Sequence, residues 1–381
     1  MERIQQINPE RIRWCCKDRG IAIAELAGQL DIPLQRLEMV MAGNGGLTFN
    51  QLRKVAGYFN RGVLFFLEPG SVNEQRVRSP QFRTLMNRKP DLPPDLKALI
   101  ERVEMHRDIY LKLREDLDDD SPAFEPPAIP LEDPPGAAEA ARDWLGLGEK
   151  NTFDTYRQAV EAKGILVFQS VGYFGAWRIP PGNPVAGFSL YDDACPVIVV
   201  KKQSHVARQS FTLMHELGHI LLHRSSFIDE EHDMYVRRGR EQTANAFAGR
   251  VLVPDAFLQR VSDSDRPDDV ALFDDWLRPF RKQWGVSSEV ILRRLLEVGR
   301  LEQQAYEAYR AWWHEQPLLG HKGGSRQHRA REPLHVFGGR FVRTVLDALH
   351  AQQISLNKAS KYLDNLKIKD VHKLEAHVKG V

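Results

Sequence analysis

The run Phe211-Thr-Leu-Met-His215-Glu216-Leu-Gly-His219-Ile-Leu-Leu-His223, FTLMHELGHILLH, sets two histidines four residues apart, with a glutamate beside the first and mostly apolar neighbours. On an α-helix, residues i and i+4 share a face one turn apart, so His215 and His219 can aim both imidazoles at one point. Zinc accepts histidine nitrogen readily, and a catalytic site supplies three protein ligands while leaving a fourth position for water. A glutamate between the histidines has the length to take that water's proton, which makes Glu216 a general base and not a ligand. Leu213, Met214, Leu217, Ile220 and Leu221 supply packing, and Gly218 leaves space where another backbone or a substrate must come close. The competing reading is a core helix with incidental histidines, and the third ligand decides between them.

Twenty-two residues after His219 comes Glu241, in EQTANAFA, near the start of a second expected helix where its carboxylate can face the first helix. Asp229, Glu230, Glu231, His232 and Asp233 compete for the role, but they fall in a polar stretch, read as a loop, where no periodicity fixes their direction. Glu241 is the better placed. His223, a further turn along, is expected to cap the helix or to stand behind the ligands, because its distance along the axis takes it away from the ion. His223, Tyr235 and Arg237 are the polar candidates near the site for steadying an oxyanion.

Working outward, ILVFQSV, AGFSLYD and CPVIVVKK read as short strands, and 204–223 as one long helix. The chain is mostly helical beyond Pro254. Toward the N-terminus, residues 9–66 read as five short helices broken at Gly20, Asp31 to Pro33 and Gly43 to Gly46. PPDLKALIERVEMHRDIYLKLRE has the spacing of one amphipathic helix. DLDDDSPAFEPPAIPLEDPP, acidic and proline-rich, reads as a linker or surface excursion with a composition that cannot pack a core. The expected fold class is α+β, predominantly helical. Its expected parts are a helical N-terminal domain (1–70), a connector and linker (71–135), a domain with a small β-sheet around the histidines (136–315) and a basic helical region (316–381).

With 381 residues, 42% of them hydrophobic, the chain is long enough for two or three cores. It carries no cationic start followed by an apolar stretch and no run of eighteen apolar residues, so a cytoplasmic protein without membrane contact is expected. Three cysteines, Cys15, Cys16 and Cys195, can build neither a disulfide framework nor a paired-cysteine zinc site, so any metal must use histidine and carboxylate. A net charge of +2 singles out no partner, but from Leu318 onward twelve Lys/Arg face five Asp/Glu. Clustered cations gain affinity for phosphates by releasing counterions, which makes Arg326, Arg329, Arg331, Arg340 and Arg343 candidates for sensing nucleic acid; the bland reading is a solvated basic surface.

GFSLYDDACPVIVV, FTLMHELGHILLH and EQTANAFAGRVLVP, in that order and at that spacing, resemble the ImmA/IrrE family of zincin-like metallopeptidases over roughly residues 136–260. The resemblance implies one Zn2+ held by His215, His219 and Glu241, with Glu216 catalytic. The strand PVIVV would then be the edge along which an extended substrate lies. Residues 9–66 resemble the helix-turn-helix of the Cro/repressor class, which would place Gln35, Arg36 and Met39 (or Glu38) against base edges. Few of these side chains are base readers, so the module is read either as binding an operator or as kept for packing, dimerisation or docking. One branch of the family places such a module before the protease on one chain. Its members typically cleave a partner repressor of the Cro class, often encoded nearby, in response to DNA damage or phage-related stress. Operator DNA or a single-stranded DNA signal are the nucleic-acid partners in view. Two other readings stay open: a DNA-binding regulator whose inactive peptidase fold serves as a sensor, and an antitoxin-like partner of a small toxin.

Overall fold

The computed structural model describes residues 3–73, 78–89, 92–120, 123–130, 133–173, 175–180, 182–203, 205–236, 238–316 and 326–379. By packing, the chain divides into two units, Met1–Glu104 and Met105–Val381.

In the first unit, helices form where the chain carries their start and stop signals. α1 (Pro9–Arg19) begins with the Asn8 side chain accepting the N–H of Glu10 at 3.0 Å and ends at Gly20, whose φ of 63° is left-handed. α2 (Ile23–Leu30) and α3 (Leu34–Met41) are separated by Asp31 at φ 53° and by Pro33. α4 (Phe49–Tyr58) opens with a capping box: Thr48 Oγ1 accepts from Gln51 N at 3.3 Å and Gln51 Oε1 from Thr48 N at 3.0 Å. A 3-10 turn follows at Val63–Phe66, and Ile12, Leu26, Leu37, Leu52, Val55 and Phe66 are buried together. Gln35 and Met39 point outward on α3 and Arg36 is half-buried. A helix the apolar pattern does not announce, α5 (Pro80–Arg88), starts where Ser79 Oγ accepts the N–H of Phe82 at 2.9 Å. α6 (Pro94–Asp116), the amphipathic helix expected there, begins in this unit and ends in the second.

In the second unit, the proline-rich segment after α6 has neither helix nor strand over 123–130, but it does enter the core, contrary to what composition suggests. Phe124 is buried in the main apolar cluster, because one aromatic ring is enough to anchor an otherwise polar strip. α7 (Pro134–Leu145) and α8 (Phe153–Ala162) lead into a four-stranded sheet of β1 (Leu166–Gln169), β2 (Val185–Leu190), β3 (Val197–Val200) and β4 (Phe227–Glu230). The order is β1-β3-β2-β4, with β1 and β3 parallel and the other pairs antiparallel. Val199 faces Phe168 on one side and Phe188 on the other, so PVIVV is an interior strand and not the free edge expected of it. Its unbroken apolar run is the signature of a strand buried on both faces.

Between the strands and Pro254 lie α9 (Val206–Gly218), a π turn at His219–His223, and α10 (Gly239–Leu252). Beyond follow α11 (Asp255–Leu258), α12 (Phe273–Trp276), α13 (Arg278–Trp284), α14 (Ser288–Glu297) and α15 (Gln303–Glu315). The C-terminal helices are α16 (Glu332–His350), α17 (Leu356–Tyr362) and α18 (Ile368–Val378).

α16 packs on β1 and is broken at Gly338, with φ 76° and ψ 172°. Both sides of the break are satisfied from α8. Arg157 donates to the carbonyls of Leu334, His335 and Val336, while Glu161 Oε2 accepts the N–H groups of Gly339 and Arg340. The Arg340 guanidinium is itself committed, to Tyr110 Oη and the Glu161 carbonyl. No helix among the described residues is long and apolar enough to cross a membrane.

Candidate metal centre

Two helices and one strand bring four donor atoms together. α9 and the π turn supply His215 and His219, α10 supplies Glu241, and β4 supplies Asp229. The two Nε2 atoms stand 3.0 Å apart. From Glu241 Oε2 both are 3.3 Å away, and from Asp229 Oδ2 they are 3.3 and 3.2 Å away. One ligand atom from each of the four residues lies within 4.8 Å of the others. A tetrahedral zinc ion with bonds of 2.0–2.1 Å separates its ligands by about 3.3 Å, so the spacing suits such an ion.

The close approach of α9 and α10 has a sequence cause. A Cβ on Gly218 would stand 3.3 Å from Ala244 Cα and 3.1 Å from the Phe247 ring, so the glycine lets a second backbone in. On the sheet side, a Cβ on Gly187 of β2 would come within 2.9 Å of Glu216 Oε1 and 2.6 Å of the Thr212 methyl. Gly187 thereby makes the niche that receives the Glu216 carboxylate.

The hydrogen bonds behind the ligands set their tautomers. Thr243 Oγ donates to Arg240 O at 2.8 Å, so the 2.9 Å contact with His223 is one in which His223 Nε2–H donates to Thr243. Burial, with His219 next in effect, lowers the His223 pKa to about 4, so the ring is neutral and its bare Nδ1 accepts from His219 Nδ1–H at 2.9 Å. His219 is left with a bare Nε2 aimed at the donor cluster, the form a metal requires. Its ring is stacked on Phe227, centroids 3.7 Å apart. His223 therefore stands behind His219 and outside the donor cluster, one of the two places expected of it.

Electrostatics point to the same position. Three carboxylates, Glu216, Asp229 and Glu241, converge on two histidines, with Glu216 and Asp229 almost wholly buried. Both oxygens of Glu216 and of Asp229, and Glu241 Oε2, are buried without hydrogen-bond partners. Burial, reinforced by the Asp229 charge, pushes the Glu216 carboxyl well above its usual range. At Asp229 burial acts upward too, but His215 and His219 outweigh it and hold the carboxyl well below that range. Burial opposes protonation of His215, yet Asp229 and Glu241 raise it to about 9. Uncompensated buried carboxylates are costly, and a divalent cation at the shared point would neutralise them.

Asp229 is the residue the sequence reading passed over. It does not lie in a loop: Phe227 and Ile228 open a strand that pairs with β2, and the alternation of that strand turns Asp229 toward the histidines. The segment after it is pinned by Asp233 Oδ2, which accepts the N–H of Glu230 at 2.8 Å, and by Asn245 of α10, which donates to Asp233 O at 3.0 Å. Glu230, Glu231, His232 and Asp233 are not in the cluster. The Tyr235 side chain and Arg237 lie outside the described residues. Beside the cluster, a cavity of about 290 Å³ is lined by apolar residues, among them Ala186, Phe211, Met234, Val290 and Tyr306, and by charged ones, among them Arg208, Glu231, Glu289, Arg293 and Arg310.

Residues 178–296 match the model of a peptidase family, M78, described as the IrrE N-terminal-like domain. The matched span contains β2, β3, β4, α9, α10 and all four converging residues. No curated protein matches the chain. The match and the donor cluster together support a domain of metallopeptidase type.

Proposed function

We propose that the chain is a zinc-dependent endopeptidase that cuts a partner helix-turn-helix repressor of the Cro class, relieving repression under DNA damage or phage-type stress. The observation that carries the enzymatic part is the pair of Nε2 atoms 3.0 Å apart with Glu241 Oε2 at 3.3 Å from both and Glu216 alongside. His215, His219 and Glu241 would hold the ion. When bound, it supplies Lewis acidity toward the scissile carbonyl and the attacking water. Glu216, in its niche against Gly187, takes the proton from the water and passes it to the leaving amine. An extended substrate would add to the outer strand β4, the end of the sheet nearest the cluster, gaining main-chain hydrogen bonds. The cavity lined by Phe211, Met234 and Tyr306 together with Glu289, Arg293 and Arg310 would take a substrate side chain next to the cut bond. The choice of repressor as substrate rests on the helical N-terminal unit and on the family resemblance.

Glu216→Gln tests this directly. The variant should bind one ion per chain and lose repressor cleavage by about 10²–10⁴-fold, the usual weight of a general base. Undiminished cleavage would reject the proposal. A second reading, a DNA-binding regulator with an idle peptidase fold, draws on the outward Gln35 and Met39 of α3. It expects Glu216→Gln to regulate its target normally and the purified protein to give an operator footprint.

A further inference from the structure

We propose that Asp229 is a fourth protein ligand, so that in the resting protein the ion is enclosed by His215, His219, Asp229 and Glu241. This rests on the metal-site reading above and deepens it. Asp229 Oδ2 lies as near the two Nε2 atoms, 3.3 and 3.2 Å, as Glu241 Oε2 does at 3.3 Å. Distance alone gives no reason to count one carboxylate and not the other. Asp229 is also 1% exposed, and neither of its oxygens has a hydrogen-bond partner. A carboxylate buried at that depth, 3.3 and 3.2 Å from two imidazole nitrogens that face the same point, is compensated by a cation placed there.

Four protein donors describe a closed zinc site, whereas a hydrolytic one keeps a position for water. Turnover then requires the Asp229 carboxylate to withdraw, or the ion to widen its shell to five ligands. The placement of Asp229 suits withdrawal. It sits on β4, at the end of the sheet, where displacing a strand breaks one ladder and not two. Opposite it, the β2–β4 register shifts between Val185 and Gly187. A substrate strand adding to β4 would act on the same element. The strand that receives substrate then also carries the group that fills the water's place.

The test reads metal and not proteolysis, so its failure is distinct from failure of the peptidase proposal. Zinc affinity is measured by chelator competition for the parent protein, Asp229→Asn and Glu241→Gln. Loss of an outer partner of a ligand costs 10–100-fold, so loss of a ligand is expected to cost about 100-fold or more, and the two variants should fall alike. Asp229→Asn within about threefold of the parent, with Glu241→Gln weakened as expected, would overturn the proposal. Should the Asn variant not fold, Asp229→Cys loaded with Co2+ takes its place. A cobalt–thiolate charge-transfer band appears if residue 229 reaches the ion, and its absence at full Co2+ occupancy overturns the proposal.

Discussion

Thr243 is an inconspicuous residue whose hydroxyl orders the site. By accepting the Nε2–H of the neutral His223 it leaves His223 Nδ1 to accept from His219 Nδ1–H, which keeps His219 Nε2 bare for a metal. Thr243→Val keeps the shape and removes the acceptor, so zinc affinity should fall by about 10–100-fold with the helix intact by circular dichroism. Unchanged affinity would remove Thr243 and His223 from the site. The pairing of His215 with His219 is legible in the sequence because i and i+4 on a helix is a local relation. The chain from His219 to His223 to Thr243 is not, since it joins the π turn to α10 across twenty residues. Asp229 fails to stand out for the related reason that the direction of a strand side chain depends on which strand it pairs with.

At the level of elements, the short helices of the first unit could be read in advance from the breaks at Gly20, at Asp31 to Pro33 and at Gly43 to Gly46. The three apolar strands were likewise visible. β4 was not, because four residues beginning Phe-Ile and ending Asp-Glu carry too little alternation to separate a strand from a loop. Nor does an apolar run reveal its place in the sheet, and PVIVV proves to be interior. The break in α16 is an element-scale device with a sharp consequence. At φ 76° and ψ 172°, Gly338 occupies a region closed to other residues, and an added Cβ would overlap Glu161 Oε1 at 1.7 Å. Gly338→Ala should therefore destabilise by about 2–4 kcal/mol in urea unfolding, and Gly339→Ala by much less, its Cβ coming no nearer than 3.4 Å to Arg343 Nη2 and 3.7 Å to Glu161 Oε2. Equal costs would mean that the break does not depend on the glycine.

For the molecule as a whole, the ion and the fold should stabilise one another. Ion binding confined to the native state adds about 2.7 kcal/mol at a hundredfold excess over Kd, so chelation should lower Tm. The pH dependence has a definite sign. In the metal-free protein His215 titrates at about 9, above its ordinary 6.5, so the stability its proton contributes is complete below 6.5 and lost as pH rises through 9. The raised Glu216 carboxyl works in the same direction: it stays protonated in the fold where the unfolded chain has ionised, so the fold weakens as pH rises from the ordinary carboxylate range. The ion replaces the His215 proton, so the Tm gap between zinc-loaded and chelated protein should widen between pH 6.5 and 9 in calorimetry. A gap independent of pH would show that the histidine gives up no proton to the metal.

What the amino-acid order determined by itself is whatever depends on neighbours within a few residues: the helix breaks, the apolar strands, two histidines on one face and a glutamate beside them. Only the tertiary structure decided which strand lies at the sheet's end, that Phe124 enters the core, and that Asp229 joins Glu241 at the histidines. Those relations join residues far apart in the chain, and their geometry is set by close packing of α9, α10 and β4 and by strand register, neither of which any local window of sequence contains.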